Sequence, residues 1–126
     1  MKIQESAEMY LETILVLSRK NGSVRSIDIV GELDYRKSSV SVAMKHLREN
    51  GYIEMDTEGF ITLTENGREI AETIYERHMF LSDWLIHLGV APKTAAQDAC
   101  RIEHVISQES IDAIKKQAKN KIDKTE

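Results

Sequence analysis

Apolar residues recur at helical spacing along most of the chain. Tyr10, Ile14 and Leu17, flanked by Leu11 and Leu15, predict a helix over about residues 5–19, stopped by Asn21-Gly22. Ser26 in N-cap position, followed by Ile27, Val30 and Leu33, predicts a short second helix. A polar break at 34–37 precedes a third, capped by Ser38 or Ser39, with Val40, Met44 and Leu47 inward and Asn50-Gly51 as its stop. The helical period then gives way to two β-prone runs, 52–55 and 60–63. The turn residues 56–59 between them predict a hairpin. Helix, short helix, turn, helix, hairpin is the order of a winged helix-turn-helix.

Beyond the hairpin the helical period returns. Thr64 can cap a long helix over about 65–88, whose apolar positions include Ile70, Ile74, Leu81, Trp84 and Leu85, and Gly89 ends it. Pro92 suits the first turn of a helix over 92–106. Ser107 can cap a last helix over 108–119 with Ile111 and Ile114 inward, leaving the Lys-rich tail, 115–126, frayed or solvated. The expected fold class is mainly α, with a winged helix-turn-helix domain at 1–64 and a helical domain at 65–126.

Composition narrows the class. A chain of 126 residues with 41% hydrophobic and 30% charged positions fits a globular protein of one domain, or of one domain and an extension. No run approaches the roughly 18 apolar residues that cross a bilayer. The N-terminus lacks the pattern of a signal peptide, so no membrane partner and a cytoplasmic location are expected. The single cysteine cannot staple the fold and suits a reducing compartment. A net charge of −4 argues mildly against nucleic acid. The location of charge matters more than its sum, and a bound divalent cation would offset part of it.

Two groups of residues carry chemistry. The start and outer face of the third helix hold Arg36, Lys37, Ser38, Ser39, Ser41, Lys45 and Arg48. Small hydroxyls allow close approach to a major groove, and the cations neutralise phosphates. The bland alternative is a solvated helix face. Farther on, Cys100, Glu103 and His104 stand at i, i+3 and i+4, one face of a helix, and offer donors for a first-row transition metal. Met9 and Glu12, three apart on the first helix, could supply a further donor. Cys100 and Met9 could instead be core fillers. A Cys100–His104 thiolate–base pair lacks any Gly-rich oxyanion turn, so no enzyme is expected. A metal-independent winged-helix module, binding DNA or protein, stays open at this point.

Nearly the whole chain resembles the metal-dependent repressors of the diphtheria-toxin-repressor type, which include iron-dependent repressors and manganese transport regulators. The resemblance runs from Glu8-Met9-Tyr10-Leu11 through Ser38-Ser39-Val40-Ser41 to the long motif from Cys100-Arg101-Ile102-Glu103-His104 to Ser107. It implies a winged helix-turn-helix, a helical metal-binding and dimerisation region, a homodimer and a palindromic operator. It also implies an effector metal site at Met9, Cys100, Glu103 and His104. Glu12 and His78 match ligands of the manganese type, and with shared Glu103 they could hold a second ion. Ser82 and Ala96 depart from the ancillary site of the iron type. A thioether and a thiol among the donors favour Fe(II) as the effector, with Mn(II) second.

Overall fold

A computed structural model of the chain describes residues 5–124, and side chains as far as 119. The elements run α1 (Glu5–Asn21), α2 (Ser26–Leu33), α3 (Lys37–Glu49), β1 (Ile53–Met55), β2 (Ile61–Leu63), α4 (Glu65–His87), α5 (Pro92–Ile102) and α6 (Gln108–Lys124). Two compact units divide them, one ending at Tyr75 and the other starting at Glu76. The fold is mainly helical with a winged helix-turn-helix at its N-terminal end.

The first unit is built around α1, whose Leu11, Ile14 and Leu15 are buried against Ile29, Val40 and Met44 from α2 and α3. The α2–α3 turn is made by Asp34, which adopts the left-handed conformation at φ 56° and donates its backbone N–H to Val30. A short polar side chain tolerates that conformation better than most. Two capping expectations are corrected here. Arg25, not Ser26, is the N-cap of α2, and its backbone N–H donates to the Asp28 carboxylate at 2.8 Å. Helix α3 starts at Lys37 with Arg36 as N-cap, because extended backbone at Arg36 already presents its carbonyl to Val40. Ser38 and Ser39 are therefore inside the helix and exposed.

The hairpin pairs Ile53 with Leu63 and Met55 with Ile61, so Ile53 and Ile61 face the core while Glu54 and Thr62 face out. The segment before α2 adds to this sheet: Arg25 bridges Phe60, and the Ile61 N–H donates to the Val24 carbonyl at 2.8 Å. At the tip, the Asp56 carboxylate accepts from the N–H groups of Glu58 and Phe60, both at 2.9 Å. That explains an acidic residue in a wing: its charge is spent on closing the turn.

Thr64 caps α4, as its place before the helix suggests. Its hydroxyl accepts from Gly67 N–H at 3.2 Å and donates to the Gly51 carbonyl at 2.7 Å. The cap thus also ties α4 to the α3–β1 turn. Gly67 is obligatory for this approach, since a Cβ there would overlap the Tyr52 carbonyl.

In the second unit Leu81, Ala99 and Ile111 are fully buried, with Phe80, Trp84 and Ile102 packed on them. Helix α5 ends at Ile102, four residues before the expected 106. The Glu103 carbonyl is taken by the Arg77 guanidinium instead of a helical N–H, and Ser107 opens the next helix by accepting from Ser110 N–H at 3.0 Å. Helix α6 continues to Lys124, so the expected tail is helical and not frayed up to there, with Lys116 and Lys119 solvated; residues 125–126 lie outside the described residues. Among the described residues no helix is long and apolar enough to cross a membrane.

Candidate metal centre and nucleic-acid interface

The early end of α5 decides how Cys100, Glu103 and His104 are presented. Cys100 lies on the helix and is half-buried. Glu103 is its C-cap, still in helical conformation, with its N–H donated to Ala99 at 2.9 Å. His104 falls in the turn beyond. Arg77 of α4 pins that turn by donating to the carbonyls of Glu103 (3.2 Å) and Ile106 (3.3 Å) and to Gln108 Oε1 (2.8 Å). A cation at the C-terminal end of a helix is also favoured by the helix dipole.

Glu103 is 0% exposed and stands between two imidazoles. His78 Nδ1 lies 2.9 Å from Oε2, and His104 Nε2 lies 3.3 Å from Oε1; the two histidine side chains are 26% and 5% exposed. Oε1 forms no hydrogen bond among the described residues. A buried carboxylate with an unsatisfied oxygen is costly unless a proton or a cation compensates it. Carboxylate and imidazole are also the donors first-row divalent ions take, so the residues of this unit fit such an ion. The structure brings His78, Glu103 and His104 together, and His78 is the member that only the family resemblance had suggested.

Met9 and Glu12 belong to α1 in the other unit. There the Tyr35 hydroxyl donates to Met9 Sδ at 3.2 Å. Tyr35 also meets Tyr10 edge-on, with ring centroids 6.0 Å apart. Burial, with Tyr35 as the smaller cause, pushes the Tyr10 hydroxyl up from its ordinary pKa.

Arg36, Lys37, Ser38, Ser39, Ser41 and Lys45 are all exposed, while Val40, Met44 and Leu47 anchor the opposite face of α3 in the core. No acidic residue stands in its first turn. The outward face therefore offers cations and hydroxyls at a helix N-terminus, which suits phosphate. Arg25 was missed by sequence reading. Its guanidinium stacks on Phe60 at 4.7 Å and donates to the Glu58 carbonyl, bracing the wing. No local pattern signals that contact.

A winged helix-turn-helix followed by helices that gather two imidazoles around a buried carboxylate fits a metal-dependent DNA-binding transcriptional regulator. Residues 2–59 match the N-terminal DNA binding domain of the iron dependent repressor, and residues 64–121 match its metal binding and dimerisation domain. The chain belongs to the iron-dependent repressor family. Among its relatives is the transcriptional regulator MntR of Escherichia coli, 34% identical over 112 residues, covering 89% of this chain and 72% of the relative. An HTH-type transcriptional regulator of Methanocaldococcus jannaschii is 33% identical over 115 residues, covering 90% of this chain and 92% of the other. Of solved structures, the IdeR of T. acidophilum aligns with a TM-score of 0.76 at 25% identity, over 90% of this chain and 53% of that one. The manganese regulator SloR shares the fold, with a TM-score of 0.79 at 22% identity, over 94% of this chain and 55% of that one.

Proposed function

We propose that the protein is a manganese-responsive repressor, working in the cytoplasm as a homodimer on a palindromic operator. His78, Glu103 and His104 form the heart of its metal site. The observation that carries this reading is the buried Glu103 carboxylate, flanked by two imidazoles and with one oxygen lacking a hydrogen bond. Glu12 is added as a carboxylate donor on its chemistry and its family match alone. Met9 and Cys100 stay in the proposal on the same ground, Met9 as the least committed donor. The functional boundary is placed after Thr64, so that the whole of α4 serves metal binding and dimerisation.

Mn(II) replaces Fe(II) as the first choice of effector. The Fe(II) preference rested on sulfur donors, and the Met9 sulfur is engaged by the Tyr35 hydroxyl. What is left is dominated by carboxylate and imidazole, which suit the harder ion. The 34% identical relatives named MntR support the same order. Fe(II) is second.

When bound, the cation supplies the positive charge that the buried Glu103 carboxylate lacks. His78 and His104 present neutral nitrogens to it, so any proton they carry must leave. Arg77 holds the turn bearing Glu103 and His104 in place through its two carbonyl contacts. On the DNA side, Arg36, Lys37 and Lys45 neutralise phosphates while Ser38, Ser39 and Ser41 approach base edges. A metal-favoured arrangement shifts the population toward operator binding, and by linkage the operator tightens metal binding equally. Fluorescence anisotropy on duplex DNA from upstream of the protein's own gene tests the reading. Affinity should rise with Mn(II), and more than with anaerobic Fe(II). Equal affinity in chelator and in Mn(II) sinks it.

A further inference from the structure

The outward face of α3 carries one group that phosphate binding does not use. Val42 is 54% exposed, the largest apolar side chain that α3 leaves in solvent. It lies one residue after Ser41, four after Ser38 and three before Lys45, on the stripe that would face a groove. Stability does not account for it. A β-branched residue on an exposed helix surface lowers helix propensity and gains nothing from burial.

The rest of the helix narrows what Val42 could read. The sequence of α3, KSSVSVAMKHLRE, contains neither Asn nor Gln, the side chains that pair with adenine through two hydrogen bonds. The nearest amide, Asn50, donates to the His46 carbonyl at 2.7 Å and is committed there. Serine hydroxyls donate or accept and so discriminate weakly between bases. The apolar group a major groove displays is the C5-methyl of thymine. We propose that Val42 is a specificity-determining residue of α3 beside the serines, and that it recognises an A·T pair by packing its methyls on the thymine methyl. This rests on the reading of α3 as the groove-entering helix.

The test uses the full chain loaded with Mn(II). A duplex is selected from a random pool, and each thymine in its half-sites is then replaced by deoxyuracil, which removes the methyl and keeps every hydrogen-bonding group. At one position per half-site the wild type should lose about fourfold in affinity, the worth of one buried methyl. Val42→Ala should bind the thymine and deoxyuracil duplexes alike, and Val42→Thr should fall between. The salt dependence of Val42→Ala should match the wild type, since no phosphate contact is removed. A wild type indifferent to every deoxyuracil, or a Val42→Ala variant that keeps the full thymine preference, overturns the proposal while leaving DNA binding intact. A pool from which no duplex is retained overturns the groove-entry reading itself, and this proposal with it.

Discussion

The Tyr35 hydroxyl donates to the Met9 sulfur at 3.2 Å, joining the residue two before α3 to α1 three residues ahead of Glu12. A thioether that accepts a hydrogen bond has one of its two lone pairs engaged, which counts against Met9 as the decisive metal donor. Met9→Leu should therefore leave Mn(II) affinity close to that of the wild type in an electron paramagnetic resonance titration. A loss beyond about tenfold, the scale expected when a ligand or its support is removed, would raise Met9 from the least committed donor to a full ligand. Tyr35→Phe separates the two roles further. It frees the sulfur, and Co(II), which tolerates softer donors than Mn(II), should gain affinity relative to Mn(II).

Glu103 makes a prediction of opposite sign in the two states of the protein. Its side chain is fully buried, and among the described residues its Oε1, 3.3 Å from His104 Nε2, makes no hydrogen bond. Neutralising it removes a buried charge, and such charges are costly when uncompensated. Glu103→Gln should melt at or above the wild-type temperature in chelator, yet show no upward shift on adding Mn(II). A variant that melts well below wild type in chelator while still shifting with Mn(II) would mean that Glu103 is structural.

Arg77 is expected to act through the turn it holds. Its guanidinium reaches the carbonyls of Glu103 and Ile106 and the Gln108 amide oxygen. Arg77→Met removes all of these, and Arg77→Lys can restore only part, lacking the planar fork. Mn(II) affinity should fall by roughly tenfold or more in Arg77→Met, with a changed Co(II) visible spectrum at saturation, and less in Arg77→Lys. An unaltered spectrum and affinity in a folded Arg77→Met would show that the turn keeps its shape unaided.

How far the sequence reveals this molecule depends on the range of each interaction. Thr64 and Ser107 are recognisable as caps because capping is local, although α2 and α3 start from Arg25 and Arg36 and not from the nearby serines, and the hairpin is recognisable from its turn residues. The end of α5 is not, since it depends on Arg77 arriving from α4 to take a carbonyl. Glu103 and His104 come together from adjacent positions, whereas His78 pairs with Glu103 from 25 residues away and only the family resemblance suggested it. Arg25 on Phe60 has the same character: neither residue's neighbours announce the contact. The order of Fe(II) and Mn(II) is hard to read from sequence for a related reason. A list of donor types counts Met9 as available, and only the folded chain places Tyr35 against it.

Gly67 illustrates a long-range constraint that stability measurements can check. Backbone of the α3–β1 connection sits where its Cβ would be. Gly67→Ala would normally favour a helix by up to about 1 kcal/mol. Here it should destabilise by about 2 kcal/mol, because the Tyr52 carbonyl or the start of α4 must move. The midpoint of urea unfolding should drop accordingly, and a rise would mean that the helix start shifts without cost.

The DNA face yields a prediction whose size follows from counterion release. Arg36 and Lys37 are exposed at the acid-free first turn of α3, the end of the helix that would enter the groove, and Lys45 is exposed about two turns farther on. If Lys37 neutralises a phosphate, Lys37→Ala should lower the slope of log affinity against log salt by about one per monomer. The loss should be similar for operator and for unrelated duplex, because phosphates carry no sequence. Ser41→Ala should do the reverse, leaving the slope alone and reducing discrimination between the two duplexes. Anisotropy titrations at several salt concentrations, with Mn(II) saturating, separate these outcomes. If Lys37→Ala and Ser41→Ala both leave slope and discrimination unchanged, α3 is not the helix that reads DNA. The contact must then be sought on the wing, where Arg25 already presents a braced cation beside Phe60.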